Sequence, residues 1–141
     1  MRKFEFRLQR VTNIHNSQLD QLMSELSVIR QKIHQIQVRL SEIEIKATEL
    51  ELKISDELAG SITSQRLVGR QFEKTSLNAL RDEMNHLLNQ QHHLEKECLE
   101  RVIRKKREIN GFVKLKEKQQ SEHRLMSEKS EGRILEDLLN K

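Results

Sequence analysis

Between Leu19 and Ile54 the apolar side chains fall at Leu19, Leu22, Leu26, Ile29, Ile33, Ile36, Leu40, Ile43, Ala47, Leu50 and Ile54, in alternating steps of three and four without a gap. This spacing is a heptad seam. Leu19, Leu26, Ile33, Leu40, Ala47 and Ile54 take one core position, and Leu22, Ile29, Ile36, Ile43 and Leu50 the other, over about five heptads. A seam this narrow is built to face another helix rather than to enclose a globular core. Composition agrees, because only 35% of the chain is hydrophobic, 34% is charged, and Trp and Tyr are absent. With four Gly, one Cys and no Pro in 141 residues, a collagen-like, disulfide-framed or all-β chain is excluded, and almost any enzyme with it.

Upstream of Leu19 the phase loosens at Leu8, Val11 and His15, and downstream it stops at Leu58-Ala-Gly60. Gly60, Ser61, Thr63, Ser64 and Gly69 then interrupt a chain otherwise free of breakers, so the chain is expected to reverse here. A second helical pattern runs from Phe72 through Leu77, Leu80, Met84, Leu87, Leu94 and Cys98. After Cys98 it slips to Val102, Ile109 and Phe112 or Val113, a spacing that resembles a stutter. Gly111 and Gly132 are candidate weak points, each costing about 1 kcal/mol relative to Ala in a helix interior. The expectation is an all-α fold: one coiled-coil domain over 1–141, a long antiparallel two-helix hairpin with unequal arms. Helix 1 covers about 5–58, the reversal about 59–70 and helix 2 about 71–139.

Net charge is +4, and its placement is uneven. Between Arg101 and Lys118 eight Lys or Arg stand against Glu108 and Glu117, so the rest of the chain is slightly acidic. On a helix Arg104, Arg107, Lys114 and Lys118 fall near one face, suited to an acidic protein surface, anionic lipid or a phosphate backbone. A solvated charged face is the plainer alternative. Nucleic acid is not the expected partner, because the block has no interleaved aromatic except Phe112 and belongs to no finger, helix-turn-helix or basic zipper. Val38, Ile45 and Leu52 recur every seven residues opposite the seam and form an outer apolar stripe, for a partner or for a second copy of the chain.

Chemistry has few places to sit. His86, His92 and His93 lack the one-turn ligand spacing that zinc requires. Cys98 falls on the apolar phase and reads as a small core residue, and its solitude suits a reducing compartment. There is no phosphate-binding loop and no nucleophile triad, so no catalytic, metal or cofactor site is expected. The basic start lacks a following apolar run and nowhere do 18 apolar residues follow one another, so neither a secretory signal nor membrane insertion is expected.

The opening Phe4-Glu-Phe-Arg-Leu-Gln-Arg-Val11, followed by a long heptad helix rich in Gln, Leu and Glu, resembles the FliJ family of flagellar type III export stalk proteins. The reversal Gly60-Ser-Ile-Thr-Ser-Gln-Arg66 leading to Gln71-Phe72, the Arg104-Lys-Lys-Arg107 stretch and the ending Leu135-Glu-Asp-Leu-Leu139 resemble the same family in the same order. The resemblance implies a two-helix coiled coil similar to the central stalk of rotary ATP synthases. Its implied partners are a hexameric export ATPase (FliI-like), the cytoplasmic region of the export gate (FlhA-like) and export chaperones. It implies a cytoplasmic location, peripheral at the inner membrane, and no cofactor. Ile134, Leu135, Leu138 and Leu139, with Arg104 and Arg107, would meet the ATPase ring. Phe72 and Ala79 would meet the gate, although Ser76 stands where the family pattern wants an apolar residue.

Two other readings follow from the same residues. Stalks of injectisomes, of the YscO type, share the architecture, and the Phe-rich opening favours the flagellar branch. A structural tether would dimerise through Val38, Ile45 and Leu52. A prefoldin-like holdase needs strands between its helices, for which the segment Ser61–Gln71 is too short.

Overall fold

The computed structural model describes residues 3–140. Two helices account for almost all of it: α1, Gln9–Ala59, and α2, Ser64–Leu139. They pack against one another as an all-α helical hairpin with arms of 51 and 76 residues. Their residues group into two compact units, Ser24–Leu99 and Met1–Met23 with Glu100–Lys141.

In the unit Ser24–Leu99 the α1 seam is the one read from the heptads. Leu26, Ile33, Ile43 and Leu50 are buried, Ile29, Ile36, Leu40, Ala47 and Ile54 half-buried. The facing helix contributes Leu77, Leu80, Met84, Leu87, Leu88 and the buried Cys98. Ion pairs beside the seam set the direction, since Arg30 meets Glu95 at 3.4 Å, Glu44 meets Arg81 at 2.7 Å and Glu57 meets Arg70 at 2.9 Å. Partners descend along α2 as α1 ascends. The pairing is antiparallel.

The reversal is shorter than the breakers suggest. Only Gly60, Ser61, Ile62 and Thr63 lie between the helices, and α2 begins at Ser64 rather than near 71. Thr63 explains this: its Oγ1 accepts the Arg66 N–H at 3.3 Å and its carbonyl accepts the Leu67 N–H at 3.0 Å, so it caps the helix. Ser64 and Gly69 are therefore helical. Among the described residues no glycine has positive φ, so Gly60 ends α1 without a left-handed turn. Beyond the turn, Arg70 forks onto Glu57 through Nε (3.1 Å) and Nη2 (2.9 Å) and also reaches Glu73, closing the hairpin with a charge-assisted clamp.

In the other unit the pairing is more polar. His15 stacks on Phe112 with ring centroids 5.1 Å apart, Gln9 accepts from Lys116 at 3.0 Å, and Phe4 lies 5.6 Å from His123. Phe6, Thr12 and Val102 are its buried residues. Thr12, not Val11, continues the seam, and its hydroxyl is satisfied by the Leu8 carbonyl at 2.9 Å. Helix α1 starts at Gln9 instead of about residue 5, leaving Phe4 and Phe6 in the lead-in that packs against this unit.

The expected slip after Cys98 does not occur. Cys98 to Val102 is a step of four, and Lys105, Ile109, Phe112, Lys116, Gln119 and His123 follow in alternating threes and fours, all partly covered. Long Lys and Gln side chains occupy seam positions with their aliphatic stems, which hides the phase from an apolar count. Leu94, assigned to the seam from sequence, is exposed, and Gln91 and Glu95 stand in the seam instead; of the two alternatives Phe112 and Val113, Phe112 is the half-buried one and Val113 is exposed. Gly111 and Gly132 are helical.

Candidate functional site

What a hairpin leaves uncovered is what it offers to partners. In the unit containing the chain ends, every residue from 128 to 140 is exposed, because α2 has outrun the last cross-helix contacts near His123. Ile134 and Leu138 stand one turn apart, as do Leu135 and Leu139, and their exposures are 58, 66, 59 and 84%. Arg133, Glu136 and Asp137 fill the rest of those turns. The arrangement is an amphipathic helix end whose apolar half has no covering element, the form used by helices that seat in a groove or ring.

The same unit carries the basic block, which the structure divides. Arg104, Arg107, Lys114 and Lys118 are exposed as the helical spacing predicts. Lys105 and Lys116 face the paired helix. Lys105 Nζ lies 2.7 Å from Gln18 Oε1, 3.2 Å from Glu108 Oε2 and 3.0 Å from His15 Nδ1, and Glu108 also approaches His15 at 3.3 Å. Sequence reasoning missed this polar layer, and its only signal was a cation standing four residues before Ile109 and three after Val102. A polar residue at a core position fixes register at some cost in stability.

In the unit Ser24–Leu99, Phe72 is 74% exposed. It forms the rim of a shallow groove with Lys46, Glu49, Leu50, Lys53, Ser76 and Leu77. Ala79 is exposed two turns further along α2. Ser76 lines the groove where a larger apolar side chain would fill it. The outer stripe is exposed as expected, Val38 at 45%, Ile45 at 59% and Leu52 at 62%.

The electrostatics of this unit centre on the reversal. Hydrogen bonds from Arg70 hold the Glu57 carboxyl below its ordinary range, and its charge adds to the effect. The same bonds from Glu57 raise the Arg70 guanidinium. Both side chains are largely covered, at 20 and 17% exposure, so the clamp is a fixed structural pair. The histidines engage their own helix: His86 contacts Gln90 at 3.2 Å, His92 contacts Glu95 at 3.7 Å and His93 contacts Glu97 at 3.1 Å. Among the described residues no group of three or more His, Cys, Asp or Glu side chains is placed to hold a metal ion, and no helix is long and apolar enough to cross a membrane.

A two-helix hairpin with an uncovered amphipathic end, a cationic face and an aromatic-rimmed groove defines a coiled-coil interaction protein, one that works through docked faces. The chain belongs to the FliJ family: the family model described as the flagellar FliJ protein matches residues 4–138, nearly the whole chain. It is therefore a component of the flagellar export apparatus, the type III protein export machinery of the flagellum. No curated protein and no solved structure matches the chain.

Proposed function

We propose that this chain is the stalk of the export apparatus, binding the hexameric export ATPase through the free end of α2 and the cytoplasmic region of the export gate through the Phe72 groove. The observation that carries the proposal is the tail: four apolar side chains on one face of the last two turns, all more than half exposed, in a chain of this family. A ring interior lined with apolar and acidic groups would cover that face and attract the cations of Arg104 and Arg107 along the same helix. An asymmetric helix pair inside a symmetric ring makes six equivalent subunits inequivalent. Differential contacts of that kind promote ring assembly and bias its nucleotide states. On this reading Phe72 and Ala79 transmit the state of the ring to the gate, and the protein works peripherally at the cytoplasmic face of the inner membrane. Export chaperones would be cargo-side partners of the same assembly.

The experiment is a double substitution, Leu135→Asp with Leu138→Asp. Neither residue supports the fold, so circular dichroism stays that of the wild type while stimulation of the export ATPase is lost. Equal stimulation by wild type and variant removes the assignment of the tail.

A further inference from the structure

The covered side chains of α1 change character along the helix. From Leu26 to Ile54 every one of them is Leu, Ile or Ala. From Gln9 to Leu22 they are Gln9, Thr12, His15, Leu19 and Leu22, so the polar ones are the majority. The stretch of α2 in the same unit matches: Val102, Ile109 and Phe112 share the seam with Lys105, Lys116, Gln119 and His123. The buried residues of this unit are Phe6, Thr12 and Val102, whereas the other unit holds Leu26, Ile33, Ile43, Leu50 and Cys98.

Polar cover closes a helix pair less firmly than apolar cover. Lys105 Nζ is held by Gln18 Oε1 at 2.7 Å, His15 Nδ1 at 3.0 Å and Glu108 Oε2 at 3.2 Å, and Lys116 Nζ by Gln9 Oε1 at 3.0 Å. When the helices part, water replaces those partners, so the hydrogen bonds favour the closed form little in net. Apolar side chains have no such replacement, and closure stabilises them in proportion to the area they hide. The Thr12 hydroxyl bonds to the Leu8 carbonyl of its own segment and supplies no hydrogen bond across the pair. Gly111 lowers the helical stability of the α2 stretch further.

We infer that residues 9–22 of α1 and 102–123 of α2 part and rejoin together, as one local unit, while Ser24–Leu99 stays folded. Local opening follows the less apolar of two compact units. The Phe72 groove and the Glu57–Arg70 clamp then keep their form while the pairing beside the chain ends is remade. A partner that prefers the closed pair tightens it by mass action, and one that prefers the parted helices holds them open. The inference rests on packing and is independent of what the tail of α2 meets.

Native-state hydrogen exchange of the full chain, read by mass spectrometry, tests it. Amides in 10–22 and 102–119 share one protection factor, at least about a hundredfold below that of 26–54 and 77–98, and low urea accelerates both stretches in parallel. His15→Leu with Lys105→Leu raises protection of those two stretches together by at least about tenfold and leaves 26–54 unchanged. Equal protection in all four stretches overturns the inference, since the hairpin then opens only as a whole. So does a gradient along α1 with 102–119 as protected as 77–98, which is fraying of a chain end, because 102–119 lies inside a 76-residue helix. A double variant that slows exchange in 10–22 alone, or equally in all four stretches, overturns it as well.

Discussion

Ile43 and Ile45 are the same residue type two positions apart on one helix, and they separate the seam from the outer stripe. Ile43 is 2% exposed and Ile45 is 59% exposed. Truncating either to Ala removes three carbons. At about 0.8 kcal/mol for each buried methylene-sized group, Ile43→Ala loses about 2.5 kcal/mol of transfer free energy, plus a cavity contribution that the open sides of a two-helix seam keep small. For Ile45 less than half of that area is covered, so about 1 kcal/mol is at stake. Replacing a β-branched residue by Ala in a helix returns about 0.4 kcal/mol. The expected costs are therefore about 2.5 to 3 kcal/mol at position 43 and about 0.5 kcal/mol at position 45. Urea unfolding followed by circular dichroism at low protein concentration measures both. Equal losses at the two positions would refute the reasoning, because they would mean that something covers the stripe in the isolated protein.

Other expectations come from particular contacts. Glu57 has its carboxyl lowered by Arg70, so its contribution to stability is present above the ordinary carboxylate value of 4.5 and fades as pH falls through the lower folded value. Glu57→Gln should accordingly lower the urea midpoint at pH 7, and the gap to wild type should close in acid. The raised Arg70 titrates in the opposite sense and keeps its proton throughout that experiment. Gly111→Ala should raise stability by about 0.5 to 1 kcal/mol in the same assay, since the position is helical and an added Cβ meets nothing within 4 Å. Lys105→Leu should raise the unfolding free energy by about 1 kcal/mol, by putting an apolar side chain at a seam position that a cation now holds. The same change should loosen register, seen as broadened His15 and Phe112 resonances.

Much of this molecule was legible because heptads are legible. The α1 seam from Leu19 to Ile54, the exposed stripe and the uncovered tail follow from spacing alone, since a helix turns each residue by a fixed angle. The family resemblance was carried by the ordered motifs of the opening, reversal and ending. What could not be read had two causes. Thr63 looked like one breaker among several, whereas its hydroxyl makes it a cap, and the cap starts α2 after only four intervening residues. Lys105, Lys116 and Gln91 sit in the α2 seam, and a count of apolar residues passes over them and registers a slip after Cys98, where the covered residues keep alternating steps of three and four. The Lys105 layer depends on His15 and Gln18 some ninety residues away, a proximity that no local pattern carries.

The stalk account is tested most directly at the end of α2. A photo-cross-linking side chain placed at position 138 of the full chain, mixed with the hexameric export ATPase and illuminated, should give an adduct with the ATPase, while the same group at position 113 or 45 gives none. Adducts from position 45 but none from position 138 would contradict the claim that the free end of α2 is the part the ring holds.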